Sequence, residues 1–352
     1  MRILKLKKAD LYRFLEVIYK EADIWAPQKK GDKFVFDRVD DFSKIELQTT
    51  RTIIPPKKIM VPPMFNMFDF NEAGYKEDFS HISKKILFGI HPCDIHGLLT
   101  LDKLFIQEYP DPYYMGAREK TLILGLSCWP DEHCFCKSTR TNIIEEGYDL
   151  FFTDLDEFFL VWIGSSQGDD LVKLAPDKFD ENLSDKDIQA YIRWQNDKEK
   201  AFKTEIDFVT MPDLMELKYK APFWQEAGDA CLACGSCSMV CPTCNCYNVA
   251  DKTFLGGKPG KRIRTWDSCT LPEYSEVAGG ENFREDKSDR LKLWYTHKLQ
   301  AYVSKYGKPS CVGCGRCIAT CPVGINVKTI ARALEGEEVD AFWKKMSREV
   351  TK

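Results

Sequence analysis

Two short runs of cysteine carry the chemistry of this sequence. Cys231, Cys234, Cys237 and Cys241 stand at C-x2-C-x2-C-x3-C spacing with Pro242 behind them, and Cys311, Cys314, Cys317 and Cys321 repeat the run with Pro322. This is the spacing by which bacterial ferredoxins hold [4Fe–4S] cubanes. Gaps of two residues let three thiolates wrap one cube from a single turn of backbone, while the fourth cysteine, followed by proline, points to the other cluster. The spacing therefore assigns Cys231, Cys234, Cys237 and Cys321 to one cluster. Cys311, Cys314, Cys317 and Cys241 form the second set. A pair of four-thiolate zinc sites is the alternative, but such sites rarely need three cysteines within seven residues plus a fourth, twice over.

A second group lies in the first half of the chain. The apolar run Ile86-Leu87-Phe88-Gly89-Ile90 predicts a buried strand that stops at His91-Pro92-Cys93-Asp94, where a helix begins. Leu122-Ile123-Leu124-Gly125-Leu126 predicts a second strand, ending at Ser127-Cys128. A strand–helix–strand unit makes the two strands parallel, so Cys93 and Cys128 share the carboxyl edge of the sheet, where α/β proteins place ligands. Cys134 and Cys136 follow in the next loop, within reach of that edge. Cys93 also sits at a helix start, where backbone N–H groups favour a thiolate. Three readings of the quartet stand: a third Fe–S cluster on Cys93, Cys128, Cys134 and Cys136; a redox-active thiol pair, Cys134 with Cys136; or a structural zinc site or inert buried thiols. His133, beside the loop, is read as a neighbour and not a ligand.

Three more cysteines, Cys244, Cys246 and Cys269, exceed what two cubanes need. A supporting or packing role near the first cluster is the leading reading, direct ligation the other. Leu255 to Arg262 resembles a phosphate loop only loosely, lacking the glycine and the Ser/Thr that the Walker spacing requires, and is read as a turn.

The remaining pattern must position these groups. At 352 residues the chain is long enough for two domains. Hydrophobic content of 44% with 30% charge describes a globular protein, and a net charge of −4 without basic runs argues against nucleic acid. Fifteen cysteines behind an N-terminus with no signal-peptide core point to metal in a reducing cytoplasm. The longest apolar stretch, Phe158–Ile163, is too short for a bilayer, so no membrane is expected. Helices are predicted over residues 9–22, from the capping pair Ser184 and Asp187 to about 203, over 288–306 and over 325–334. Strands are predicted at 33–36, 149–153 and 158–163, with Pro27 to Asp32 as a turn. The Pro- and Met-rich residues 52–70 read as an extended packed arm. Met211-Pro212 marks the expected boundary: an α+β chain, with residues 1–210 an α/β domain on a partly parallel sheet and 211–352 an α-helical two-cluster ferredoxin domain.

Arg51-Thr52-Ile53-Ile54-Pro55-Pro56-Lys57-Lys58, Phe88-Gly89-Ile90-His91-Pro92-Cys93-Asp94-Ile95-His96-Gly97-Leu98, Cys134-Phe135-Cys136, Cys241-Pro242-Thr243-Cys244 and Trp266-Asp267-Ser268-Cys269 together resemble the beta subunits of cytoplasmic sulfhydrogenases. The chain is also similar to the A subunit of anaerobic sulfite reductase. The resemblance covers nearly the whole chain. It implies an iron–sulfur electron carrier without a catalytic site of its own. Its implied partners are a flavin NAD(P)-binding subunit of the ferredoxin–NADP reductase type and the small and large subunits of a [NiFe] hydrogenase. In the sulfite reductase case a sirohaem subunit replaces the hydrogenase pair. A rival of another class is a catalytic sulfur or disulfide reductase working through the N-terminal thiols.

Overall fold

In the computed structural model, which describes residues 2–256 and 259–337, the chain divides into two compact units. The first comprises the chain up to Val61 and Phe79–Lys203; the second comprises Pro62–Asp78 and the chain from Thr204 onward. This differs from an uninterrupted first domain reaching residue 210.

The first unit is built on an eight-stranded sheet. Its spatial order is Phe179–Asp180, Ile3–Lys7, Phe158–Ile163, Leu150–Asp154, Thr121–Leu126, Lys85–Ile90, Asp23–Lys30 and Lys33–Arg38. The central pairings are parallel: Asp23 to Trp25 beside Lys85 to Leu87, Lys85–Ile90 beside Thr121 to Gly125, and Leu124 to Leu126 beside Leu150 to Phe152. The flanking pairings are antiparallel. The sheet is therefore partly parallel. Alternation along the strands divides the core between its faces. Ile86, Phe88, Leu124, Phe152 and Phe159 join Phe14 and Leu15 of the Leu11–Ile18 helix on one side. Leu87, Ile90, Ile123 and Phe151 pack with Ile95 and Leu98 of the Pro92–Asp102 helix on the other.

Residues 27–30, the first part of the expected turn, instead continue a strand. Asp23–Lys30 runs through Pro27, which cannot donate to a ladder. The neighbouring Lys85–Ile90 strand bulges there. Its register shifts between Phe88 and Ile90, and Gly89, at φ +79°, would set a Cβ 3.0 Å from the Pro27 ring. A glycine-borne bulge makes room for the proline and carries Ile90 to the same face as Leu87.

Residues 64–77 depart further from expectation. Met64–Asn71 and Gly74–Glu77 form a hairpin, and Met64–Asn71 pairs with Gly260–Trp266, which pairs in turn with Tyr247–Thr253. The result is a four-stranded antiparallel sheet inside the second unit, in contrast to the expected extended arm and α-helical ferredoxin domain. The partner strand lies so far along the chain that no local pattern announces it. The expected turn at 255–262 is the end of the Tyr247–Thr253/Gly260–Trp266 hairpin, with Gly257 and Lys258 outside the described residues.

The helices of the second unit bracket the cysteine runs. Phe223–Ala230 leads into the first, and the run Lys287–Thr296, His297–Ala301 and Tyr302–Tyr306 ends at Gly307 before the second. Val327–Glu335 follows it, opened by a capping box on Asn326 and Thr329. Among the described residues no helix is long and apolar enough to cross a membrane. The helices Phe223–Ala230 and Lys287–Thr296 touch at Gly228, where a Cβ would fall 2.4 Å from the Ser288 Cα. Because that neighbour is backbone, Gly228→Ala must push the helices apart. It should cost about 1–3 kcal/mol, seen as a lower thermal midpoint by circular dichroism under anaerobic conditions; an unchanged midpoint would show that the crossing yields freely.

Candidate iron–sulfur centres

The two cysteine runs fold alike. Cys231 caps the C-terminus of Phe223–Ala230, and its Sγ accepts the Ala233 N–H at 3.4 Å. In the second copy the Gly313 N–H serves Cys311 in the same way. Ala233 (φ 51°) and Gly313 (φ 59°) occupy equivalent positions, as do Gly235 (φ 71°) and Gly315 (φ 74°). The left-handed residues curl each loop so that a backbone N–H turns back onto the first sulfur of its run, a setting suited to anionic sulfur. Glycine supplies three of these four positions; Ala233 adopts the conformation with a Cβ. Short helices, Ser236–Met239 and Arg316–Thr320, then carry Cys237 and Cys317.

Tertiary structure exchanges the fourth cysteines. Cys231, Cys234, Cys237 and Cys321 line one cavity, closed by Leu291, Trp294, Tyr295 and Ile325. Cys241 lies with the other run, raising the pKa values of Cys311 and Cys317 as Cys314 does. The two groups adjoin, for Cys237 feels Cys241 and Cys317 feels Cys237. The Tyr295 ring is 2% exposed, and its hydroxyl is held well above its ordinary pKa by burial first and then by Cys317, Cys237, Cys321 and Cys231.

Burial dominates the electrostatics. It pushes the Cys237 thiol up to about 12, reinforced by neighbouring sulfurs. It does the same to Cys311, against the pull of Lys298. In contrast, the exposed Cys234 is lowered, by its hydrogen bond with Ser236. Thiols of this kind do not ionise together without a cationic centre among them. Eight sulfurs in two groups, with N–H groups aimed at them and apolar walls, fit two [4Fe–4S] clusters.

Lys298 is a functional residue that cysteine spacing does not single out. It lies on the inward stripe with Trp294, Tyr295 and Tyr302, and a lysine on such a stripe is the signal that was there to find. It is 5% exposed, and its Nζ donates to Thr243 Oγ1 at 3.0 Å and to Cys241 Sγ at 3.3 Å. Burial opposes its charge, yet Cys241, Cys244 and Cys311 hold the ammonium well above its ordinary pKa.

In the first unit Cys93 occupies the first turn of the Pro92–Asp102 helix and Cys128 follows the Thr121–Leu126 strand. Cys93, Cys134 and Cys136 are buried and Cys128 is half-buried. Cys134 is close enough to Cys128 to feel its charge. Arg51, a second residue without an assigned role in the sequence reading, donates to Cys134 Sγ at 3.3 Å and pairs closely with Asp131. Asp131 accepts the N–H groups of His133 and Cys134 and so fixes the loop. Burial pushes the Cys134 thiol up to about 12, with Arg51 pulling against it. Among the described residues no three His, Cys, Asp or Glu side chains are gathered closely enough for a single metal ion.

The position of Lys298 gives a measurable consequence. A buried positive charge beside a ligand sulfur favours the reduced cluster. Lys298→Met should lower the reduction potential of the centre that includes Cys241 and move the other less, followed by paramagnetic resonance during a redox titration. Equal shifts at both centres, or none, would refute a local effect.

Residues 230–325 match the model of a 4Fe-4S dicluster domain. Sulfhydrogenase 2 subunit beta of Pyrococcus furiosus is 36% identical over 341 residues, covering 96% of this chain and 99% of the relative. No solved structure matches the chain. Identity at that level along almost the whole length, with both cysteine runs inside the matched domain, shows that the chain belongs to the sulfhydrogenase beta-subunit family.

Proposed function

We propose that this chain is the electron-transfer subunit of a cytoplasmic sulfhydrogenase-type [NiFe] hydrogenase. It would relay electrons between a flavin NAD(P)-binding subunit of the ferredoxin–NADP reductase type and the hydrogenase small and large subunits. The observation that carries this reading is the cavity shared by Cys231, Cys234, Cys237 and Cys321, with Cys241 held against the other run. It supports ligand sets that cross between the motifs and would set two clusters side by side. The relative's description as a sulfhydrogenase subunit favours the hydrogenase partners over a sirohaem subunit.

Bound clusters would supply one-electron chemistry. The chain's own residues fix their spacing through the two left-handed loops, exclude water with Leu291, Trp294 and Tyr295, and bias one centre through Lys298. A third Fe–S cluster on Cys93, Cys128, Cys134 and Cys136 belongs to the same proposal. Its support is the approach of Cys134 to Cys128 and the Arg51 cation at Cys134, which would offset the charge of a thiolate-bound cluster.

Anaerobically assembled protein should hold about eight iron atoms per chain, or about twelve with the third centre. Cys321→Ala should abolish the paramagnetic signal of the centre held by Cys231, Cys234 and Cys237 and spare its neighbour; loss confined to the Cys311 centre would show that each motif closes on itself. Purified from its own cells, the chain should carry the flavin and hydrogenase subunits with it. Full turnover by the isolated chain would exclude the relay role.

A further inference from the structure

Cys246 and Cys269 are absorbed by neither cluster set, yet the fold brings them together. The ladder between Tyr247–Thr253 and Gly260–Trp266 is extended one step by the Asp267 N–H donating to the Cys246 carbonyl at 3.0 Å. The chain then turns on Ser268, whose carbonyl accepts the Leu271 N–H and whose Oγ accepts the Thr270 N–H. This turn returns Cys269 to Cys246, and the two thiols hydrogen-bond one another. Both line a small cavity with Cys244, His297, Lys298 and Tyr302. The Tyr274 hydroxyl, on a 39% exposed ring, donates to Cys246.

The pair is wired to both cysteine runs. Ser268 Oγ bonds Ser238 Oγ at 2.8 Å, Trp294 Nε1 donates to the same Ser238 Oγ at 3.1 Å, and Ser238 adjoins Cys237. On the other side Lys298, lining the cavity, touches Cys241 Sγ.

We propose that Cys246 and Cys269 form a redox-active dithiol–disulfide couple that exchanges electrons with the two clusters, an inference that rests on the electron-transfer reading. In the oxidative direction the two thiols lose two protons and two electrons and form one S–S bond, each cubane accepting one electron. The reverse breaks the S–S bond with one electron from each cluster and two protons. Two one-electron centres thus match one two-electron couple. The external ligand class is a disulfide, met at half-buried Cys246, with Cys269, 6% exposed, as the resolving thiol. Attack by the Cys246 thiolate expels one thiolate and leaves a mixed disulfide; attack by Cys269 expels the second. Net, one disulfide with two electrons and two protons becomes two thiols. The hydrogen bonds from Cys269 and Tyr274 lower the Cys246 pKa, the direction a nucleophilic thiol needs.

The test uses the cluster-loaded chain, poised without oxygen in glutathione and glutathione disulfide at graded ratios, acid-quenched, alkylated and mapped by mass spectrometry. A Cys246–Cys269 linked peptide should replace two alkylated peptides across one two-electron transition, while iron content stays constant. In Cys246→Ser and Cys269→Ser the linked peptide should vanish, with iron and both paramagnetic signals as in the parent. Alkylation of both thiols at every ratio, linkage to another cysteine instead, or loss of iron in either variant would overturn the proposal. Absence of iron from the parent would overturn the electron-transfer reading instead.

Discussion

The arrival of Cys321 at the first cysteine run, and of Cys241 at the second, is the constraint on which the second unit depends. Each run alone supplies three sulfurs from one turn of backbone. The exchange ties together segments separated by a hairpin and a long helix, so neither sulfur group is complete unless that whole insertion is folded. The helices that touch at Gly228 and the serine bridge from Ser268 to Ser238 hold the insertion against the first run. Cluster binding and folding of this unit would thereby be linked, because sulfurs brought from such distant positions gather only in the folded chain.

Charge balance is the second requirement. Buried thiols resist ionisation, and the high pKa values of Cys237, Cys311 and Cys317 express that resistance. The chain answers with backbone N–H groups at both runs, but with a buried cation at the second. Lys298 reaches Cys241 directly, while Lys287, beside the first run, bonds the Cys231 carbonyl oxygen and not its sulfur. Two loops of nearly equal backbone shape thus differ in electrostatic setting, a difference a relay can use to give electrons a preferred resting place.

The first unit meets its constraint by other means. A parallel sheet exposes the carboxyl ends of its central strands, and the chain places Cys93 and Cys128 just beyond two of them. Arg51 and Asp131 organise the following loop around Cys134. An arginine held beside a buried thiol has a clear electrostatic purpose when that sulfur is an anion.

Much of this was legible in the residues because it is written at short range. Cysteine spacing determined both runs and their curled loops, since a ligand turn spans only a few residues. Uninterrupted apolar runs identified the buried parallel strands, and Ser184 with Asp187 marked a helix start. What tertiary structure alone decided involves partners remote in sequence. The pairing of Met64–Asn71 with Gly260–Trp266 removes a segment of the first half from the first unit, and no local propensity encodes that choice. Pro27 could stand in a strand only because Gly89, on another strand, bulges beside it. Lys298 gained its role from Cys241, and Cys246 from Cys269, because side-chain chemistry depends on which groups are brought within hydrogen-bonding distance, and the folded backbone sets that distance.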